Sequence, residues 1–193
     1  RILASRVLIV ASAVVLLFTR HSWEHGSLTD ISFEAAGYTL LVAAAFIRLW
    51  CSLYIYGYKR KTLVTLGPYS VVRNPLYLGS LLGATGLGLA SENLLFGILL
   101  LAFFVAYYPW VVLNEERELR QTFGAEYEQY CSVVPRFVPR FSLFREPDCY
   151  EIHPKRLRRA FLDSMWFLLS IVGFEVTEVL HNVAALPVLL HTP

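Results

Sequence analysis

Two short polar clusters interrupt an otherwise apolar chain. The first reads Gly67-Pro68-Tyr69-Ser70-Val71-Val72-Arg73-Asn74-Pro75-Leu76-Tyr77-Leu78-Gly79, a turn-rich stretch with one cation and two tyrosines. The second, Asn114-Glu115-Glu116-Arg117-Glu118, follows a long apolar run. Charged groups at the mouths of membrane helices are costly to keep, and they mark places where something polar is held. The chemistry implied is the binding of a charged ligand, and the two clusters read as halves of one pocket at the membrane surface.

The elements that must position these clusters are membrane helices. The chain has 193 residues, 56% of them hydrophobic, with a mean hydropathy of +0.51. Charged residues make up 17%, against about 25% in soluble domains. The apolar residues gather in runs, which places the chain among integral membrane proteins, as a single membrane domain over residues 1–193. It begins with Arg1 rather than methionine, as a trimmed or processed chain does. The first run has no small-residue cleavage site ahead of a soluble domain and is read as a span, not a signal peptide. Cys51, Cys131 and Cys149 are widely spaced, which argues against a disulfide framework or a zinc site. No metal partner is expected. No helix-turn-helix, zinc-finger or phosphate-loop pattern occurs, so no nucleic acid is expected either.

Five spans are expected, at about residues 2–18, 33–56, 76–90, 94–113 and 162–190. A full crossing takes about 20 apolar residues. The third run is shorter, and only Ser91-Glu92-Asn93 separates it from the fourth, so the two form a tight helical hairpin. Gly79 with Gly83, and Ala84 with Gly88, have the spacing that lets helix backbones approach in lipid. Gly86-Leu87-Gly88 would equally admit a ligand to the backbone. Lys59, Arg60, Lys61 and Arg73 fill one loop, and arginines from Arg117 to Arg159 fill another. By the positive-inside rule both loops are cytoplasmic, with the N-terminus inside and the C-terminus outside. Both polar clusters then lie on the cytoplasmic side. Residues 121–151 mix aromatics, prolines and arginines, as a chain lying in the interface does. Tyr54, Tyr56 and Tyr58 are read as an interfacial aromatic belt. Glu175, Glu178 and His181 recur every three residues near one face of the last span. The preferred reading is a polar stripe that lies in the interface or packs on a partner. The alternative is a stripe that binds the acceptor or handles protons.

Further blocks follow the two clusters in order. After Gly67-Pro68-Tyr69, the Arg73–Gly79 block and Glu115-Glu116-Arg117 come Phe123-Gly124-Ala125-Glu126-Tyr127-Glu128-Gln129-Tyr130 and Val134-Pro135-Arg136-Phe137-Val138-Pro139. As an ordered set they resemble the membrane methyltransferases that include isoprenylcysteine carboxyl methyltransferases and phospholipid N-methyltransferases. The resemblance covers residues 65–140; residues 145–193 read as a C-terminal extension. It implies an all-α, polytopic membrane bundle with a cytoplasmic-side pocket for S-adenosylmethionine, which leaves as S-adenosylhomocysteine. By the same resemblance Tyr69, Arg73, Asn74, Pro75 and Tyr77 line that pocket. Gly86 and Gly88 match a GxG element, and Glu115-Glu116 match a paired acid element. Many relatives carry histidine where this chain has Asn74, so position 74 is expected to bind and not to titrate.

Adenosylmethionine carries an activated methyl group, so the protein is expected to align the acceptor and exclude water. Glu115 or Glu116 would hold the ammonium head or the ribose hydroxyls. Acids at the C-terminal end of a helix oppose its dipole and call for such a partner. Tyr69 and Tyr77 would stack on adenine or face the sulfonium, and Arg73 would clamp the carboxylate. A carboxylate acceptor would need a cation, Arg117 or Arg136. An amine acceptor would need a base, Glu116. Arg136 could equally bind a lipid phosphate. The expected activity is methyl transfer to a lipid-like or prenylated acceptor reaching the site from the bilayer, of the isoprenylcysteine carboxyl type. Phospholipid N-methylation is the alternative. From another class, the rival is a non-catalytic membrane adaptor or lipid binder.

Overall fold

A computed structural model of the chain describes residues 19–21, 27–55, 62–149, 152–183 and 190–192. Six α-helices lie among the described residues: α1 (Leu28–Ile55), α2 (Pro68–Val71), α3 (Pro75–Ala90), α4 (Leu94–Phe123), α5 (Ala125–Val133) and α6 (Pro154–Asn182). Two three-residue strands, β1 (Thr19–His21) and β2 (Leu190–Thr192), pair in parallel, with Arg20 opposite His191. The expected first span lies outside the described residues.

The helix ends follow local chemistry. Pro68, Pro75 and Pro154 stand at helix starts, where a missing N–H costs nothing. Asn93 caps α4 by accepting from Phe96 N at 2.9 Å. Gly124, at φ 49°, ends α4 and turns the chain into α5.

Among the described residues three helices, α1, α4 and α6, are long and apolar enough to cross a membrane, and α3 is a shorter apolar helix. The chain is thus a helical membrane protein. Helices α1, α3 and α4 run up, down and up, and α6 lies against α1 and α3. The small residues of α3 divide the packing. Gly86 meets the α1 backbone, 3.0 Å from the Gly37 carbonyl oxygen to a β-carbon position. Gly88 faces Gly97 of α4 so closely that a β-carbon would stand 2.9 Å from the Gly97 Cα. Gly83 lies under the Phe167 ring of α6.

Helix α4 does not stop at residue 113 but continues to Phe123. Glu115 and Glu116 therefore sit in the body of a helix, about two turns before its end, and the dipole argument for a partner does not apply to them. Tyr54 does not belong to an aromatic belt. It is buried against Cys51 and Tyr69, and its hydroxyl donates to Glu146 Oε1 at 2.9 Å. Tyr56 and Tyr58 lie outside the described residues.

Candidate functional site

The first polar cluster is a backbone turn sewn onto the chain that follows α5. Gly67 has φ +60°, and an added β-carbon would sit 2.3 Å from the Tyr54 ring, so the turn needs glycine. Its N–H donates to Arg145 O at 2.7 Å, and Arg145 N–H donates to Ser70 Oγ at 3.0 Å. Arg140 N–H donates to Val71 O, and Arg73 N–H donates to Pro135 O at 2.9 Å. The Tyr130 hydroxyl donates to Tyr69 O at 2.7 Å. Residues 134–145 are thus held by backbone pairing, while Phe137, Val138 and Phe141 keep exposed apolar faces.

Glu116 stands at the centre, 1% exposed. Arg136 holds it through two parallel bonds, Nε to Oε1 at 3.0 Å and Nη2 to Oε2 at 2.7 Å. Asn74 Nδ2 donates to the same Oε1 at 3.3 Å and also to Arg136 O. Arg73 Nη1 approaches Oε1 at 3.6 Å and donates to Cys131 Sγ at 2.8 Å. A buried carboxylate persists only when paired and hydrogen-bonded, and here a fork of guanidinium N–H groups and an amide do both. Burial acts to lower the Arg73 pKa, but the Glu116 charge and Cys131 outweigh it and raise it. Burial also pushes the Tyr127 and Tyr130 hydroxyls well above their ordinary range, so both remain donors.

Beside this knot opens a cleft of about 1070 Å³, counted to its open mouth. Tyr69, Arg73, Asn74, Pro75 and Tyr77 line it, together with Glu115 and Glu118. Those are five of the residues expected in the pocket, plus one of the two paired acids. Glu116 is turned away from the cleft into the knot. Arg117 is exposed on a different face of α4. Gly86 and Gly88 are not brought to the cleft. They lie some three turns along α3 from Pro75, inside helix contacts.

Several lining residues escaped the sequence reading: Glu118, Leu119 and Thr122 from α4, and Tyr127 and Tyr130 from α5. A signal existed for the first three. Residues 115, 118, 119 and 122 have the i, i+3, i+4, i+7 spacing of one helix face, visible once the helix is run past its apolar segment.

A contrasting acidic cluster lies at the other end of the bundle. Carboxylate oxygens of Glu34 on α1 and of Glu175 and Glu178 on α6 lie within 4.8 Å of one another. The Tyr38 hydroxyl lies 2.7 Å from Glu175 Oε1 and 3.0 Å from Glu34 Oε1, with one hydrogen for two acceptors. Asp30, Glu92 and His181 are buried, each close to a helix end, and Glu92 feels the charges of Asp30, Glu34 and Glu178. Burial first, and then a hydrogen bond with Asp30, pushes the Glu92 carboxyl up to about 8. The α6 stripe therefore packs on α1.

Residues 34–126 match the phospholipid methyltransferase family. The Protein-S-isoprenylcysteine O-methyltransferase of Schizosaccharomyces pombe is 39% identical over 85 residues, 42% of this chain and 34% of that one. The chain belongs to the isoprenylcysteine and phospholipid methyltransferase superfamily. Two relatives match this superfamily member over most of their length. Cobalt-zinc-cadmium resistance protein CzcN of Cupriavidus metallidurans is 37% identical, over 94% of this chain and 83% of that protein. Nickel-cobalt-cadmium resistance protein NccN of Alcaligenes xylosoxydans xylosoxydans is 34% identical, over 96% and 86%. No solved structure matches.

Proposed function

We propose that this superfamily member is an integral membrane methyltransferase that uses S-adenosylmethionine on a lipid-like or lipidated acceptor. The observation that carries the reading is the cleft's lining, which gathers Arg73, Glu115, Glu118 and the tyrosines Tyr69 and Tyr77 around one space. A ligand with a carboxylate, an ammonium and a flat ring system fits that donor set. S-adenosylmethionine is such a molecule, and when bound it supplies an activated methyl group. Arg73 would bind its carboxylate, Glu115 or Glu118 its ammonium or ribose, and Tyr69 or Tyr77 its rings. Glu116 would act as a positioning residue, because it holds Arg136, Asn74 and Arg73 around one buried charge.

The proposed membrane placement rests on the positive-inside rule. Five spans with the cleft at the cytoplasmic face put β1 and β2 together on the outer side, and their pairing supports that arrangement. A carboxyl-type acceptor is favoured over an amine. Glu116, the expected base for an amine, is buried and already bonded to Arg136 and Asn74.

Equilibrium binding of S-adenosylhomocysteine to the purified protein tests the proposal. Saturable binding that Arg73→Ala weakens about tenfold or more is expected. No binding at millimolar ligand would overturn it.

The names of the two long-covering relatives favour a second reading, in which the chain serves resistance to transition-metal ions without catalysis, as a membrane adaptor. A bacterial host carrying the chain, grown on cadmium, separates the two. Tolerance that survives Glu116→Ala supports the adaptor, and tolerance lost with it ties resistance to the cleft.

A further inference from the structure

The proposed reaction needs its acceptor held near the cleft, and the expected cations are committed elsewhere. Arg136 is bonded to Glu116, and Arg117 is exposed on a different face of α4. A third cation, Arg48, lies inside the apolar helix α1. Ionisable groups at such positions are held for a purpose and usually find a counter-charge. Arg48 pairs with no carboxylate among the described residues. Its Nη1 donates to Ser80 Oγ at 2.5 Å, and the Phe167 ring lies 5.7 Å from its Cζ. Its Nε is buried and makes no hydrogen bond. The bond at Nη1 leaves the other edge of the guanidinium, Nε with Nη2, which is the edge Arg136 uses to grip Glu116.

The position is also built. Gly79 makes room for the Arg48 stem, because a β-carbon there would stand 3.0 Å from Arg48 Cγ. Ser80 Oγ donates to Leu76 O, one helical turn nearer the cleft, and Leu76 lines it. Tyr77, another lining residue, meets Tyr108 edge-on at 5.4 Å, and Tyr108 lies beside Ser80. The cation therefore sits about 5 Å, one turn, below the cleft wall, on the apolar side.

We propose that the Nε/Nη2 edge of Arg48, steadied by Ser80, binds a carboxylate at the head of an apolar chain, and that this is the acceptor's charged group. The inference rests on the methyltransferase reading for the word acceptor; the binding site itself does not. A guanidinium edge matches a carboxylate with two parallel N–H···O bonds, and it repels an ammonium. Apolar helices around it suit the tail.

The test compares 11-(dansylamino)undecanoate with its methyl ester in neutral-detergent micelles, read by energy transfer from tryptophan. The wild-type protein is expected to bind the carboxylate about tenfold tighter or more. Arg48→Gln should bring the two probes within about twofold, and Arg48→Lys should keep a weaker preference. S-adenosylhomocysteine affinity should stay within about twofold in both variants, since Arg48 does not line the cleft. Equal affinity of the probes for wild type, or a preference that survives Arg48→Gln, overturns the proposal. If Arg48→Gln fails to fold, Ser80→Ala decides: a reduced preference supports the site and an unchanged one overturns it. Failure of S-adenosylhomocysteine to bind wild type would remove the methyltransferase reading while leaving the carboxylate preference to be judged on its own.

Discussion

The two ends of the bundle handle carboxylates in opposite ways. At the cleft, Glu116 is surrounded by Arg136, Arg73 and Asn74. At the far end, Glu34, Glu175 and Glu178 face one another around a single tyrosine hydroxyl. The first arrangement fixes geometry, because removing any partner leaves a buried charge without compensation. The second draws three carboxylates together from two helices, so its geometry rests on how α1 and α6 pack. A rigid ion knot suits a binding site, and an acid cluster joins two helices.

The comparison breaks most sharply at Glu116. Glu116→Ala leaves Arg136 and Arg73 without their shared anion. It should cost about 3 kcal/mol or more of stability and weaken S-adenosylhomocysteine binding by well over about tenfold. Thermal melts and equilibrium binding check both; a variant as stable and as tight as wild type would mean that the knot positions nothing. Gly67→Ala should come next. The positive φ and the Tyr54 ring each resist a β-carbon, for a loss of about 1–3 kcal/mol. Binding should fall with it, because Arg73 follows this turn.

At the far end the expected effects are opposite in sign. The folded Glu92 carboxyl binds its proton up to about 8, above its ordinary 4.5. The folded state therefore holds the proton through a pH range in which the unfolded chain releases it, and stability falls as pH rises from about 5 to 8. Glu92→Gln should flatten that decline, measured as the melting temperature of variant against wild type at each pH. Glu178→Gln removes one of three mutually repelling carboxylates and should raise stability by a few tenths of a kcal/mol. A loss of stability instead would show that Glu178 is held by attraction, as Glu116 is.

Tyr69, Arg73, Asn74, Pro75, Tyr77 and Glu115, which the family resemblance singled out, line one cleft. Glu118 and Thr122 were missed because the apolar run ends near Leu113 while the helix does not. Hydropathy reads where lipid stops, but backbone hydrogen bonds carry α4 to Phe123. Glu115 and Glu116 are neighbours in sequence, yet successive helical residues point about 100° apart. One therefore faces the cleft and the other the knot, which no pairing of letters reveals. Gly86 and Gly88 carry the spacing of a ligand-approach element and of a helix-packing element alike. Their neighbours, Gly37 and Gly97, come from other helices.

The sequence alone determined that this chain lives in a membrane as helices, and where its polar clusters and turns fall. Apolar runs, prolines and glycines act locally, so their meaning survives without coordinates. Only the tertiary structure decided which charges meet. Arg136 and Glu116 are twenty residues apart, Arg48 and Ser80 thirty-two, and Tyr38 and Glu175 one hundred and thirty-seven. Such pairings depend on how helices rotate and stack, and a charge's role in low dielectric is set by the neighbour that stacking gives it.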